Sequence, residues 1–253
     1  RDPVRADGGT ADTRMGNVIY LGNGVRVAVT ERHGGVSGPP HDSLNLGLGT
    51  SDDPEKVLAN RVRAARNLGF EPDRIVWMDQ HHTTDVLVAS EPGVVGRCDG
   101  VVTTEPRLVL ASLAADCLPV LAADTQAGVL GAAHSGRLGT AGAVATRLVE
   151  TMTDQGARPD RTTVHLGPAI CGKCYEVPSQ MQEETAQETP EAACTTRAGT
   201  TGVDMVAAVT AQLRRAGVEE ITADGRCTLE SPELFSHRRD APTGRFASFI
   251  WRS

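Results

Sequence analysis

No run of apolar residues in this 253-residue chain approaches the roughly 20 that a membrane-spanning helix needs, so a membrane partner is not expected. No stretch concentrates lysine and arginine. With 25 basic against 32 acidic residues, the formal charge of -7 opposes a phosphate backbone and excludes nucleic acid as an expected partner. Small anions remain accessible to a few local arginines. The charged N-terminus lacks the apolar core of a signal peptide, and the six cysteines form no dense disulfide framework. Both features favour a reducing compartment, with the cytoplasm as the expected location. There is no internal repeat, no low-complexity linker and no evident domain boundary. A charged fraction of 23% and a hydrophobic fraction of 40% are those of an ordinary globular protein. The expectation is a loose tail over residues 1–15 and one catalytic domain over 16–253.

Short strands dominate the pattern. Residues 17–21 and 25–30 flank Gly22-Asn23-Gly24 as a β-hairpin. Asp53 followed by Pro54 opens a helix that Gly69 ends, with Leu58, Val62 and Ala65 on one face. Strands are predicted over 75–78, 84–89, 101–104, 108–114, 118–122, 129–133, 163–166 and 246–251. Ala141, Val144, Ala145, Leu148, Val149 and Met152 recur at helical spacing, ending at Gly156. A third helix runs over 204–216, and the polar segment 183–195 reads as a surface excursion.

Chemistry concentrates around Ala115-Asp116-Cys117. A hairpin folded near residue 126 sets Cys117 opposite residue 135, beside His134, to within a residue. A thiolate next to an imidazole serves either a metal or a nucleophile pair. His81 and His82 are neighbours on an extended chain and face opposite sides, so only one of them joins such a site. One Cys and two His with a vacant position is the pattern of catalytic zinc. Cys171-Gly172-Lys173-Cys174 is a CxxC in a loop. No second close pair completes a structural metal site around it, so the pair is expected to be dispensable. No His-x-Glu accompanies it, which removes the zinc-deaminase signature. Near the end, His237-Arg238-Arg239 and Gly244-Arg245 gather cations suited to an anion clamp.

Together these segments resemble the laccase-domain family, also called multicopper polyphenol oxidase-like, whose members are read as purine nucleoside phosphorylases. The matching blocks run from about Val25 to Ile250. They include Ser43-Leu44-Asn45-Leu46-Gly47, Gln80-His81-His82, Ala115-Asp116-Cys117, His134-Ser135-Gly136, Gly167-Pro168-Ala169-Ile170 with Cys174-Tyr175-Glu176-Val177, and Phe235-Ser236 to Arg239 with Gly244-Arg245. The resemblance implies an α+β fold of mixed β-sheets flanked by helices in a single domain. It also implies metal ligands at His82, Cys117 and His134, choosing His82 over His81, with Cys117 and His134 catalytic. Asn45, Arg137 and Arg239 are the implied substrate contacts. Two departures stand out. Thr83 replaces a glycine, and Arg137-Leu138 replaces Trp-Arg, so the arginine moves by one position. On an extended segment such a shift turns a side chain to the other face. Either Arg137 still reaches the anion, or Arg238, Arg239 or Arg245 holds it.

The implied activity is zinc-dependent phosphorolysis of adenosine and inosine, with adenosine deaminase side activity; nucleoside and phosphate are the small-molecule partners. Multicopper oxidases gather copper with many histidines in His-x-His pairs, whereas this chain has seven histidines and no such pair. A single copper with polyphenol oxidase activity is the metal alternative, since an N/S site binds Cu²⁺ more tightly than Zn²⁺. The rivals are a cysteine hydrolase using Cys117 and His134 on cell-wall peptide or amide substrates, and a ligand-binding domain without turnover.

Overall fold

Continuous burial along the long strands, on both faces, builds the fold as four layers. The computed structural model describes residues 18–253; the tail expected over residues 1–15 lies outside them. One mixed sheet has the order β1 (Ile19–Gly22), β2 (Val25–Val29), β14 (Phe246–Arg252), β7 (Val109–Ala114), β3 (Ile75–Asp79) and β5 (Gly93–Arg97). The second has the order β13 (Glu220–Ala223), β10 (Thr163–Leu166), β8 (Leu118–Asp124), β9 (Val129–Ser135), β6 (Gly100–Thr103) and β4 (Val86–Val88). The pairs β3·β7, β3·β5, β4·β6 and β10·β13 are parallel, and the other pairs are antiparallel.

Leu110 and Ile250 of the first sheet meet Leu121, Leu130 and Ala132 of the second in an inter-sheet core. The alternate residues Val109, Phe249 and Trp251 face outward and pack with Ala64, Ala65 and Leu68 of α1 (Pro54–Leu68). On the far side, Leu118, Val120 and Ala122 pack with Leu148 and Met152 of α3 (Val144–Asp154) and with Val209 and Leu213 of α5 (Met205–Arg215). Period-two strands buried on both faces therefore need helices on both outer surfaces.

Local chemistry explains the element ends. Asp53 caps α1 by accepting from the Glu55 amide, and Gly69 ends it at φ 84°. The β8–β9 hairpin turns on buried Asp124, which accepts from the Gln126 and Ala127 amides at 3.0 Å each.

Several expectations are corrected. The buried face of α1 is Val57, Asn60, Arg61, Ala64, Ala65 and Leu68, and Leu58 is exposed. Two polar residues displace the apolar stripe because each has a buried task. Asn60 Nδ2 donates to Ser37 Oγ and to the Asn45 carbonyl, and the Arg61 guanidinium stacks 3.7 Å from the Trp77 ring. The helix expected from Ala141 is split into α2 (Arg137–Ala141) and α3, with Ala143 between them at φ 58°. The segment 183–195 carries structure: α4 (Ser179–Ala186), then β11 (Ala193–Thr195) paired with β12 (Thr201–Val203). Strand β5 and the short α6 (His237–Asp240) were not anticipated. No described helix is long and apolar enough to cross a membrane.

Candidate metal centre

Three connections converge at one end of the sheets. Chain leaving β3 is pinned to β7 by Gln80, whose side-chain amide donates to the Leu113 carbonyl and accepts from its amide, each at 2.8 Å. His82 follows, at φ 60°. Chain leaving β7 crosses to the second sheet through Ala115-Asp116-Cys117, with Asp116 at φ 98°. That conformation is uncommon for a residue with a side chain and is held here from outside. Asp116 Oδ1 accepts from Thr228 Oγ1 at 2.6 Å, and Oδ2 accepts from the Arg238 amide at 2.7 Å. His134 comes from β9. In the hairpin Leu118 pairs with Ser135, so Cys117 lies one residue further along than expected, level with Gly136.

The ligand atoms of His82, Cys117 and His134 lie within 4.8 Å of one another. Cys117 Sγ is 3.6 Å from His82 Nε2, and the two imidazole rings meet edge to face with centroids 4.9 Å apart. Gly136 leaves the space for this approach: a Cβ there would stand 2.5 Å from His82 Cδ2 and 3.0 Å from Cys117 Sγ. One thiolate and two imidazoles form a borderline-soft donor set suited to zinc or copper, with room for a further ligand.

Asp99, not anticipated from the sequence, organises all of this. Its carboxylate is fully buried and accepts from the amides of His81, His82 and Thr83 at 3.1, 3.0 and 2.7 Å, and from Thr83 Oγ1 at 2.9 Å. Thr83, which departs from the family glycine, thus adds a donor. Asp99 Oδ1 also lies 2.8 Å from His134 Nδ1. A carboxylate can only accept, so Nδ1 carries a proton and Nε2 is the atom that faces the site, a ligand once its own proton has left.

Burial works to raise the Asp99 carboxyl, but the hydrogen bonds from His134, Thr83 and His81 hold it well below the usual carboxylate range. Burial also opposes charge on Cys117; the nearby His134 and hydrogen bonds from both histidines outweigh it and bring the thiol down to about 6. His134 is lowered by burial but raised further by Cys117 and Asp99, to about 9. Without metal, the pair is therefore thiolate and imidazolium between these values. Metal uptake there displaces the proton of His134, and below about pH 6 that of Cys117 must leave as well. The affinity for a divalent metal should therefore fall by about tenfold per pH unit between about 9 and 6 and more steeply below. Competition with a chromophoric chelator from about pH 8 to about pH 5 measures it; an affinity independent of pH would mean that neither group ligates.

The centre opens on a cavity of about 710 Å³, a size suited to small-molecule ligands. Trp77, Met78, Leu113, Ile170 and Tyr175 give it apolar walls, and Arg61, His237, Arg238 and Arg245 bring positive or polar tips. The three expected substrate contacts are not among the side chains that line it. Arg137 begins α2 and turns toward α4, 3.7 Å from Glu184. Arg239 donates from Nη1 to the carbonyls of Thr228, Leu229 and Ser231, and from Nη2 to that of Leu234, which makes it the hub of a turn. Asn45 is fully buried, and its Oδ1 accepts from the Gly47 and Arg245 amides at 3.0 and 2.9 Å. It positions Arg245 without facing the cavity.

Residues 26–253 match the family described as multi-copper polyphenol oxidoreductase laccase. A purine nucleoside phosphorylase of Streptomyces griseus is 49% identical over 228 residues, covering 88% of this chain and 93% of the relative. One from Mycobacterium tuberculosis is 48% identical over 229 residues, covering 90% and 92%. The crystal structure of YlmD from Geobacillus stearothermophilus superposes with a TM-score of 0.85 at 36% identity, covering 91% of this chain and 92% of that one.

Proposed function

This chain belongs to the multi-copper polyphenol oxidoreductase laccase family, and on that premise we propose that it is a zinc-dependent purine nucleoside phosphorylase acting on adenosine and inosine. The observation that carries the reading is the donor triangle of His82, Cys117 and His134, backed by Asp99, at the end of a cavity that Arg61, Arg238 and Arg245 line. Among the described residues only two clusters of three or more such ligands occur, and only this one contains histidine. A mononuclear centre fits that arrangement better than a multicopper one. Free thiols at all six cysteines suit a reducing compartment, and we place the reaction in the cytoplasm.

In phosphorolysis the bond between the purine nitrogen and the sugar C1′ breaks, a phosphate oxygen bonds to C1′, and the base leaves carrying a proton. A zinc ion held here would supply Lewis-acid stabilisation of negative charge on oxygen. His82, Cys117 and His134 would hold it, and Asp99 fixes the His134 tautomer. Arg238 and Arg245 are placed to steady phosphate, Arg238 being braced by the Glu176 carbonyl and stacked 5.2 Å from the Tyr175 ring centroid. The apolar walls suit the faces of a purine base. Adenosine deaminase side activity would be hydrolysis at a different atom: water bonds to C6 of the purine, the bond from C6 to the amino nitrogen breaks, and ammonia leaves. The test is product analysis on adenosine and inosine: ribose 1-phosphate should appear only with phosphate, and base release indifferent to phosphate would overturn the reading.

Arg245→Ala and Arg238→Ala should each raise the KM for phosphate, costing about 1.5–3 kcal/mol of binding, the usual size of a charge-assisted hydrogen bond. Arg137→Ala should leave it unchanged. Phosphate titrations of the three variants check this, and an effect confined to Arg137 would relocate the anion site.

One observation favours a second reading. Cys117, His134 and Asp99 stand in line as a nucleophile, base and orienting carboxylate, the arrangement of a thiol hydrolase. Chelation separates the two, because it abolishes phosphorolysis and spares thiol chemistry. Copper in the same ligand set is the metal alternative, and elemental analysis decides it.

A further inference from the structure

Two turns that phosphorolysis leaves without a task bring three thiols to one point. Cys171-Gly172-Lys173-Cys174 is closed by the amides of Cys174 and Tyr175, both donating to the Cys171 carbonyl at 2.9 Å. Cys227-Thr228-Leu229-Glu230 is closed the same way, by the amides of Glu230 and Ser231 on the Cys227 carbonyl at 3.1 and 2.9 Å. A parallel bridge between Ala169 and Cys227 sets the turns side by side, and the Cys171 amide donates to Cys227 Sγ at 3.3 Å. The sulfurs of Cys171, Cys174 and Cys227 and a Glu230 carboxylate oxygen all lie within 4.8 Å of one another. None of the three cysteines is in a disulfide.

We propose that Cys171, Cys174, Cys227 and Glu230 form a second zinc site, structural in role, that clamps the two turns together. From the sequence no second close pair is expected by the CxxC; the structure brings Cys227 and Glu230 to it from more than fifty residues on, through the Ala169–Cys227 bridge.

The chemistry favours a metal over a disulfide. Three thiols cannot all pair with one another, and a carboxylate has no part in a disulfide. Four converging ligands, three of them sulfur, are the donor set of a closed tetrahedral zinc site. Zinc–sulfur bonds of about 2.3 Å place tetrahedral sulfurs about 3.8 Å apart, so closing the cluster takes shifts of about an ångström. Each ligating thiol gives its proton to solvent, and three thiolates with a carboxylate leave the site negative. Arg197 answers that charge, because its guanidinium pairs with Glu230 and lies 3.8 Å from Cys174 Sγ. Gly172 keeps the turn tight: a Cβ there would stand 2.8 Å from Asp204 Cβ and 2.9 Å from Cys194 Sγ.

The position gives the clamp its consequence. The CxxC turn is bordered by Ile170 and Tyr175, which line the cavity of the first centre. The Ile170 amide donates to the Asp116 carbonyl at 2.9 Å, and Thr228 of the other turn holds the Asp116 carboxylate at 2.6 Å. Both turns therefore end on the strained residue that precedes Cys117, and zinc at the clamp would hold that backbone in place.

Metal counting on the whole chain tests this. Elemental analysis should find about two zinc ions per chain, about one in Cys117→Ser and about one in the Cys171→Ser/Cys174→Ser double variant. Should the double variant fail to fold, cobalt loading of the unaltered protein decides, since three thiolates on one ion give a much stronger sulfur-to-cobalt absorption than Cys117 alone. Cys117→Ser should then keep most of that absorption. A parent with one zinc that vanishes in Cys117→Ser, or a double variant with the parent's full content, overturns the second site. A parent whose single zinc survives Cys117→Ser supports it and removes the first centre instead.

Discussion

Cys117→Ser and His134→Ala should each lose the zinc proposed for the cavity site and, with it, phosphorolysis, by a factor on the order of a thousand, the rate equivalent of about 4 kcal/mol. The size follows from how little else the site offers. His82 is exposed and His134 buried, so removing the buried imidazole or the central thiolate leaves two ligands that no longer surround an ion. Serine oxygen is a poorer ligand at neutral pH than a thiolate whose proton is already lost above about 6. Metal content and turnover must fall together in both variants. Full occupancy at the cavity site with activity lost would point to a thiol nucleophile, and full occupancy with activity kept would remove the centre from the reaction.

Much of this centre was legible in the chain because its ligands sit on short, strongly patterned elements. The Asp124–Gly128 turn between two apolar runs places Cys117 near His134 to within a residue, and the observed register differs by that one residue. His82 required the family resemblance, since alternation alone says only that His81 and His82 diverge. Arginine roles were harder to read. Arg239 and Arg245 both stand beside turn residues, and nothing in composition tells that Arg239 saturates the carbonyls of its own turn while Arg245 reaches the cavity. Asn60 and Arg61 misled the reading of α1 in the same way, because polar residues with buried partners break the apolar stripe on which a helical face is judged. Cys227 has no close cysteine in the chain, and only the long-range bridge at Ala169 brings it to the CxxC.

Asp99 was the largest omission, and its replacement should have the second largest effect. It lies in Cys98-Asp99-Gly100, a turn-like triplet at the start of β6 that reads as an ordinary loop carboxylate. Folded, it is fully buried and receives five hydrogen bonds, three from consecutive backbone amides that fix the strained His82 and one from His134. Asp99→Asn preserves shape but removes the charge and sets an amide against donors. It should weaken zinc binding at the cavity site by about 10–100-fold, as loss of a partner behind a metal-bound histidine usually does. Turnover at saturating zinc should also fall, because His134 no longer has its tautomer fixed. A purely structural Asp99 predicts something different: a lower melting temperature with unchanged zinc affinity in the protein that remains folded. Zinc competition at a temperature well below the melting transition separates the two, and unchanged affinity there would reduce Asp99 to a brace for the loop.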